Sequence, residues 1–477
     1  MEYELVLPSS IREAIQTHLM TDRTREQMAI VLCGRHQRGP RQRLLGRRVI
    51  LPKPDEFSYQ SAAGLMLDQE VQAEILRLAA REGLSQVDFH THPGDGGPVT
   101  FSAIDDEHER SLAGYLARRL PDSAYASVVV NGHAASGRFW EITSEGGPRP
   151  VELRLPALTE EPLTPSSAPI ESRFDRQVRA FGPGLQRRLE ALRVGLVGCG
   201  GLGSICAEEL TRLGVRQWVL IDPDAVDPTN LNRLLGSTPG DAEDEQAKVD
   251  VAERSIRAVD PNAAIEALRC SVNAPRALRA LTTCDLAIVA TDNHASRLIV
   301  NALAAQYLIP LVHVGVNLAV RSSDGGFEDI SGEVAIPAFG AWCLACAGVV
   351  SAEQAGWEVA RSDERRQLAV RGYLADTPAP AVVHLNGVVA SLAVAEIHNL
   401  IYPYKPLRRW LAYRQLESEL LTIEVSPQPS CLHCSVEGRL GLGDVAPLWR
   451  MASARAIEAP PAFEPAHVEE AARSQKR

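Results

Sequence analysis

A short apolar run, Val194 to Val197, is followed at once by Gly198-Cys199-Gly200-Gly201-Leu202-Gly203 and then by helix-forming residues from Ser204 to Leu213. This strand, glycine turn and helix restricts the fold more than any other part of the chain. Glycines placed directly after a buried strand let the backbone turn sharply and approach a bound group closely, and the helix N-terminus that follows favours negative charge. A second apolar run, Trp218 to Ile221, ends at Asp222. The pattern predicts a Rossmann-like α/β domain. A lone loop of this kind most often serves a dinucleotide, and Asp222, about 20 residues on, would bind a ribose whether the ligand is a dinucleotide or ATP.

One such domain does not account for 477 residues, a length that predicts two or three domains. Six prolines between Pro148 and Pro169 break any long helix and mark a linker over 146–170. That divides the chain into an N-terminal domain, 1–145, and a larger one, 171–434. Residues 435–477, rich in Ala, Pro, Glu and Arg, read as a flexible C-terminal tail. With 49 basic and 60 acidic residues the net charge is -11, which argues against general binding to nucleic acid or an anionic membrane. No apolar run approaches the roughly 20 residues of a membrane span, and the first residues lack a secretion signal. Both features point to a cytoplasmic protein.

In the N-terminal domain, Ala29 to Leu32 reads as a buried strand ending at Cys33-Gly34, Gln69 to Arg81 as a helix and Gln86 to His92 as a second strand. Strand side chains alternate, so His90 and His92 face the same way and can share one ion. Asp105, before or at the start of a helix over Asp106 to Leu120, can supply a third ligand and leave a position for water. His90-Thr91-His92-Pro93 with Ser102-Ala103-Ile104-Asp105 resembles the JAMM (JAB/MPN) metalloprotease family over roughly residues 1 to 145. Nine residues separate His92 from Ser102, somewhat more than the common family spacing, which leaves Asp106 as a minor competitor for Asp105. The resemblance implies a catalytic Zn2+ on His90, His92 and Asp105, Glu26 as the base that takes a proton from the attacking water, and Ser102 as support for the oxyanion.

The stretch after the glycine loop separates the two nucleotide readings. Asp222-Pro223-Asp224 leads to Asn230-Leu231-Asn232-Arg233, then to Lys248, and later to Ala290-Thr291-Asp292-Asn293 with Arg297. Hydride transfer has no use for Arg and Lys aimed at a triphosphate or for an extra acid at a metal, whereas nucleotidyl transfer needs both. From about Arg173 to Cys434 the chain resembles the ThiF/MoeB family, which includes the ubiquitin-activating-type adenylyltransferases. The likeness implies that Gly198, Gly200, Gly201 and Gly203 face ATP, that Asp222 and Asp224 lie at the nucleotide with Asp222 on the ribose, that Arg233 and Lys248 neutralise phosphates with support from Asn230, and that Asp292 positions Mg2+. Arg176, in Arg173-Phe174-Asp175-Arg176-Gln177, matches a position that reaches the ATP of a neighbouring subunit, so the resemblance also implies a homodimer.

Nine cysteines remain to be placed. Cys33, Cys199, Cys206, Cys270 and Cys284 sit in apolar or helical contexts that suit small buried thiols. Cys343-Leu344-Ala345-Cys346 and Cys431-Leu432-His433-Cys434 are two C-x-x-C knuckles, which fit a closed four-thiolate structural Zn2+ site, as in the family. No cysteine lies between Cys346 and Cys431, where many ubiquitin-activating-type members carry their thioester cysteine; Ser351 to Pro380 has the length of the crossover loop but no thiol. The expectation is therefore a bifunctional, bacterial-type enzyme. It would adenylate the C-terminal glycine of a ubiquitin-like protein with ATP and, through the JAMM domain, cut ubiquitin-like precursors or conjugates. The adenylate would pass to a ubiquitin-conjugating-type protein or to a sulfur donor. Alternatives are a sulfur-carrier activator for cofactor synthesis and a scaffold that binds a ubiquitin-like protein without catalysis.

Overall fold

The computed structural model describes residues 1–93, 99–131, 134–143, 147–155, 169–321, 324–359 and 380–453. The N-terminal part is a closed seven-stranded barrel. Its strands are β1 (Glu2–Val6), β2 (Met28–Arg38), β3 (Arg41–Ile50), β6 (Ser85–Thr91), β7 (Tyr125–Val130), β8 (Ala135–Thr143) and β9 (Gly147–Arg154), in the order β1-β3-β2-β6-β7-β8-β9. Helices α1 (Ser9–Leu19), α2 (Gln69–Glu82) and α3 (Ala103–Arg119) pack around it, and the hairpin of β4 (Phe57–Ser61) and β5 (Gly64–Leu67) stands apart as a separate two-stranded sheet. β2 runs well past Cys33-Gly34, where the sequence suggests an end, because β3 pairs with it as far as Arg38; Gly34 sits where another backbone passes close by.

The linker expected from 146 does not begin there. Residues 147–154 form β9, which pairs with β8 over 147–152 and with β1 only at Leu153 and Arg154. Pro148 and Pro150 thus lie on the uncovered stretch of the strand, where a missing N–H costs the sheet little. Residues 156–168 of the expected linker lie outside the described residues.

The larger part is built on an eight-stranded sheet. The parallel strands are β10 (Arg193–Val197), β11 (Gln217–Ile221), β12 (Ala264–Leu268), β13 (Leu286–Val289) and β14 (Leu311–Val320), and β15 (Phe327–Ala335), β16 (Trp410–Arg414) and β17 (Glu419–Thr422) continue it antiparallel. Its helices are α4 (Asp175–Ala191), α5 (Gly201–Leu213), α6 (Pro239–Glu243), α7 (Lys248–Val259), α8 (Pro275–Thr282), α9 (His294–Tyr307), α10 (Ala352–Glu358), α11 (Val383–Ile401) and α12 (Leu448–Ser453). β10 and β13 are buried along almost their whole length, as expected of parallel strands covered on both faces. The order β12-β11-β10-β13-β14 reverses between β10 and β13, so a crevice opens at their C-terminal ends. Among the described residues no helix is long and apolar enough to cross a membrane.

Residues 435–453, expected as part of a flexible tail, are packed between the two parts, while 454–477 lie outside the described residues. Leu440 is buried in one apolar cluster with Leu45 of β3, Cys343, Leu344 and Cys434. Arg47 donates to the Leu440 carbonyl at 2.7 Å, and the Gly441 and Gly443 amides donate to the Ala305 and Gln306 carbonyls at 3.0 Å each. The Asp444 carboxylate accepts from the Gln37 amide at 3.0 Å and the Tyr307 hydroxyl at 3.1 Å, and lies 3.2 Å from His36 Nδ1. Arg38 of β2 also pairs with Asp285, just before β13, at 2.5 Å. The strap stays because its own and the barrel's polar groups are satisfied against each other, not because of its composition.

Gly34 is where this dock has no slack, since a Cβ there would lie 2.1 Å from the Gly441 carbonyl oxygen. Gly34→Ala should lower stability by about 1–3 kcal/mol and make the strap easier to cleave. Gly356→Ala, with open space around it, should do neither. Urea unfolding and limited proteolysis of the two variants check this.

Candidate functional sites

In the barrel, β2 and β6 are antiparallel with Met28 opposite His90, which places Glu26, two residues before Met28, beside His92. The Thr91 amide donates to the Gln27 carbonyl at 3.0 Å and the Gln27 amide to the Thr91 hydroxyl at 2.8 Å, so this end is held firmly. α3 begins with a reciprocal cap: Ser102 Oγ accepts from the Asp105 amide at 3.2 Å, and the Asp105 carboxylate accepts from the Ser102 amide at 2.6 Å. Asp105 thereby reaches both histidines, with its oxygens 3.4 Å from His90 Nε2 and 3.3 Å from His92 Nε2.

His90, His92 and Asp105 each offer a ligand atom, all within 4.8 Å of one another. His90 Nε2 is buried with no hydrogen-bond partner, which fits a nitrogen whose lone pair is offered to a cation. Asp106 is engaged instead by Arg138, so Asp105 is the aspartate that belongs to this cluster. Burial pushes the Glu26 carboxyl up, against the pull of His90 and His92, as suits a base. Burial also acts to raise Asp105, but the neighbouring His90 and His92 outweigh it and hold the carboxyl well below the usual range.

In the larger part, the glycine turn sits at the C-terminal ends of β10 and β13, inside the crevice. Gly198 has φ +95°, and a Cβ there would lie 2.7 Å from the Ala290 carbonyl oxygen. At Gly203 a Cβ would fall 1.9 Å from the Gly198 carbonyl oxygen, so the helix can start this close only without a side chain. Gly200 faces open space, and Gly201 lies against the Arg233 stem and Asn386. The buried Asp222 carboxylate accepts from the Cys199 amide at 2.7 Å and the Asp224 amide at 2.9 Å, which ties the glycine turn to the end of β11.

Lys248, the first residue of α7, pairs with Asp224 at 2.9 Å. Burial pushes the Asp222 carboxyl up while Lys248 draws it back down; burial lowers the Lys248 ammonium, but Asp222, Asp224 and Asp292 raise it further than that. Lys248 is thus a cation held by Asp224 close to the buried Asp222. Asn230 spends its side-chain oxygen on the Asp227 amide at 3.2 Å, so its part is to shape the turn that carries Arg233. Arg233 donates to the Thr229 carbonyl at 2.6 Å and to Asn232 at 3.0 Å. Asp292 is exposed just before α9, whose first amides, at His294 and Ala295, donate to Glu358 at 3.1 and 2.7 Å. Arg176 is exposed on α4 and makes no ion pair among the described residues.

The four knuckle cysteines converge. Cys343 Sγ lies 3.9 Å from Cys431 Sγ, and Cys346 Sγ lies 3.8 Å from Cys343 Sγ and 4.0 Å from Cys434 Sγ. A tetrahedral zinc site with Zn–S bonds of about 2.3 Å has sulfur separations of about 3.8 Å, so this cluster could hold such an ion with no change of shape. Of the remaining thiols, Cys206 and Cys284 are buried and pushed up to about 12, and Cys33 and Cys199 are buried and raised as well. Cys270 is half-buried. Of Ser351 to Pro380, residues 360–379 lie outside the described residues.

Two buried groups carry no sequence signal. Glu109 of α3 and Arg138 of β8 form an ion pair beneath the histidine cluster, and only the packing of α3 on β8 brings them together. Asn301 of α9, whose side-chain oxygen accepts from the Leu344 amide at 3.0 Å, links the first knuckle to the sheet.

A Rossmann-like sheet with a glycine turn, a buried carboxylate and a held lysine at its switch point defines a nucleotide-binding class of protein. Within that class the model of the ThiF family matches residues 174–433, and the chain belongs to that family. The sulfur carrier protein ThiS adenylyltransferase of Bacillus subtilis (strain 168) is 32% identical over 146 residues, covering 30% of this chain and 44% of that protein. The ubiquitin-like modifier-activating enzyme 5 of Oryza sativa subsp. japonica is 26% identical over 259 residues, covering 51% and 56%. The chain spans about half the length of these curated relatives. A crystal structure of E. coli MccB with ATP aligns with a TM-score of 0.43 at 20% identity, covering 56% of this chain and 75% of that one. The barrel, residues 1–155, lies outside the ThiF match.

Proposed function

We propose that the chain adenylates the C-terminal carboxylate of a ubiquitin-like or sulfur-carrier protein, and that the barrel is a zinc peptidase acting on the same kind of protein. The observation that carries the first part is Lys248, paired with Asp224 at 2.9 Å next to Asp222, the carboxylate that holds the glycine turn through the Cys199 amide. In the reaction a carboxylate oxygen attacks the α-phosphorus of ATP, the bond to the bridging oxygen breaks and pyrophosphate leaves. Lys248 and Arg233 draw off charge as it builds on the phosphate oxygens, Asp292 holds Mg2+ with the nucleotide, and Asp222 fixes the turn and takes the ribose. Arg176 serves the site of a second copy in a homodimer. The adenylating relatives act on sulfur carrier and ubiquitin-like proteins by their names, which supports the substrate class.

In the barrel the residues fit a zinc ion on His90, His92 and Asp105, which when bound supplies a Lewis acid and lowers the pKa of water to about 7. Glu26, its carboxyl raised by burial, takes the water proton and returns it to the leaving amine. Ser102 accepts from the Asp105 amide, which leaves its own O–H to donate to the oxyanion. A second zinc on Cys343, Cys346, Cys431 and Cys434 has no open position and is structural. Cutting before activation is chemically consistent, because cleavage exposes the carboxylate that adenylation consumes.

Three outcomes follow from these assignments. With a ubiquitin-like protein ending in glycine, the chain should catalyse Mg2+-dependent ATP–pyrophosphate exchange, and Lys248→Ala or Asp292→Asn should reduce it at least about tenfold, equal to about 1.4 kcal/mol in the barrier. Exchange left intact in both variants would remove these residues from the site.

Metal analysis should find two zinc ions per chain and one in His92→Ala. Glu26→Gln should keep both yet fail to cleave a C-terminally extended ubiquitin-like protein. Normal cleavage by Glu26→Gln makes another residue the base.

Since Cys206 and Cys284 are buried with raised thiols and the zinc thiolates are engaged, no reductant-sensitive adduct with the partner should accumulate on this chain during turnover. The activated partner should appear on the cysteine of a ubiquitin-conjugating-type protein, or as a thiocarboxylate when a sulfur donor is supplied. Non-reducing gels read this directly, and a band mapping to Cys206, Cys270 or Cys284 would contradict it.

A further inference from the structure

We propose that Arg138 is the residue that positions the third metal ligand, Asp105, by gripping α3 from beneath; this rests on the zinc reading of the histidine cluster. Arg138 stands on β8 opposite Ser127 of β7, and Ser127 stands opposite Asp88 of β6, two residues before His90. It therefore belongs to the same sheet that carries both histidines, and whatever it holds is held relative to them.

It holds the start of α3 at three points. Its Nε donates to Glu109 at 2.8 Å, its Nη1 pairs with Asp106, and its guanidinium lies 3.8 Å from the Phe101 ring centroid. Phe101 directly precedes the capping residue Ser102, and its ring is 6.1 Å from that of His90. Glu109 is fixed in turn by the Ser127 hydroxyl and by Trp140 Nε1 at 2.9 Å. Helix residues are spaced by about 100°, so Asp106 and Glu109, three apart, share one face, and Asp105 stands on the neighbouring one. Gripping the first face sets the rotation of the helix and hence the direction in which Asp105 points. A fork-shaped guanidinium suits this role better than an ammonium, since it can bond two carboxylates while stacking on a ring.

Groups that orient metal ligands without touching the metal change affinity by about 10- to 100-fold when removed. Asp106 is half-exposed, with 52% of its side chain accessible, so Asp106→Asn releases the upper grip without stranding a buried charge. Arg138→Gln removes the grip altogether but leaves Glu109 buried and short of its cation. The test measures zinc affinity by chelator competition and the visible spectrum of the Co2+-loaded protein, alongside thermal unfolding of the metal-free forms.

Asp106→Asn should weaken zinc binding about tenfold and alter the Co2+ spectrum while the metal-free protein melts like wild type. Arg138→Gln should weaken binding at least as much, and the double variant no further than Arg138→Gln alone, because both act through one contact. Arg138→Lys should recover only part of the loss. Wild-type affinity in Asp106→Asn and Arg138→Gln, or losses that multiply in the double variant, overturns the proposal. A wild-type protein that binds no zinc at His90, His92 and Asp105, with His92→Ala as the reference, overturns the metal reading and this proposal with it.

Discussion

A single buried carboxylate organises the nucleotide end of the sheet. Asp222 accepts amides from Cys199 on the glycine turn and from Asp224 beyond β11, so two loops leaving neighbouring strands are fixed by one side chain. Burying that charge is costly, and the compensation comes from Lys248, itself half-buried and needing negative partners. The same surroundings keep the lysine ammonium largely out of water, where a flexible side chain would lose most of its electrostatic strength.

The barrel solves a similar problem with the opposite charge. His90 and Asp105 are drawn together on a sheet and a helix that have no covalent reason to meet, and the contact is maintained by the reciprocal Ser102–Asp105 cap. Below it, Glu109 is held by Arg138, Trp140 and Ser127. Carboxylates on α3 thus divide the work, with Asp105 facing the histidines while Asp106 and Glu109 anchor the helix.

Much of this was legible in the chain because it is written locally. Alternation placed His90 and His92 on one face, glycines marked the turn before α5, and the two cysteine pairs announced their own convergence, since each depends on residues a few positions apart. Asp105 follows from its place at a helix start after the histidines and Glu26 only from a resemblance, and the geometry brings both to the histidines. What could not be read depends on partners far away in sequence. Pro148 and Pro150 signal a break until one knows that their strand edge is uncovered. Arg138 is an ordinary surface-strand arginine until the packing of α3 on β8 sets it under the helix. Residues 435–453 look like a tail because the strap is held by backbone groups, a few polar side chains and scattered apolar anchors such as Leu440, which leave no hydrophobic period.

The strap also changes what a domain boundary means in this chain. Leu45 of the barrel is counted in the core of the ThiF sheet, together with Leu440 and two of the knuckle cysteines. Cutting the chain at the proline-rich segment would therefore uncover apolar surface on both pieces, at about 1.5–3 kcal/mol for each large side chain returned to water. The two halves are modular in sequence and in chemistry but share part of one folding free energy, so a barrel transplanted alone onto another protein would carry an exposed wound where its neighbour used to be.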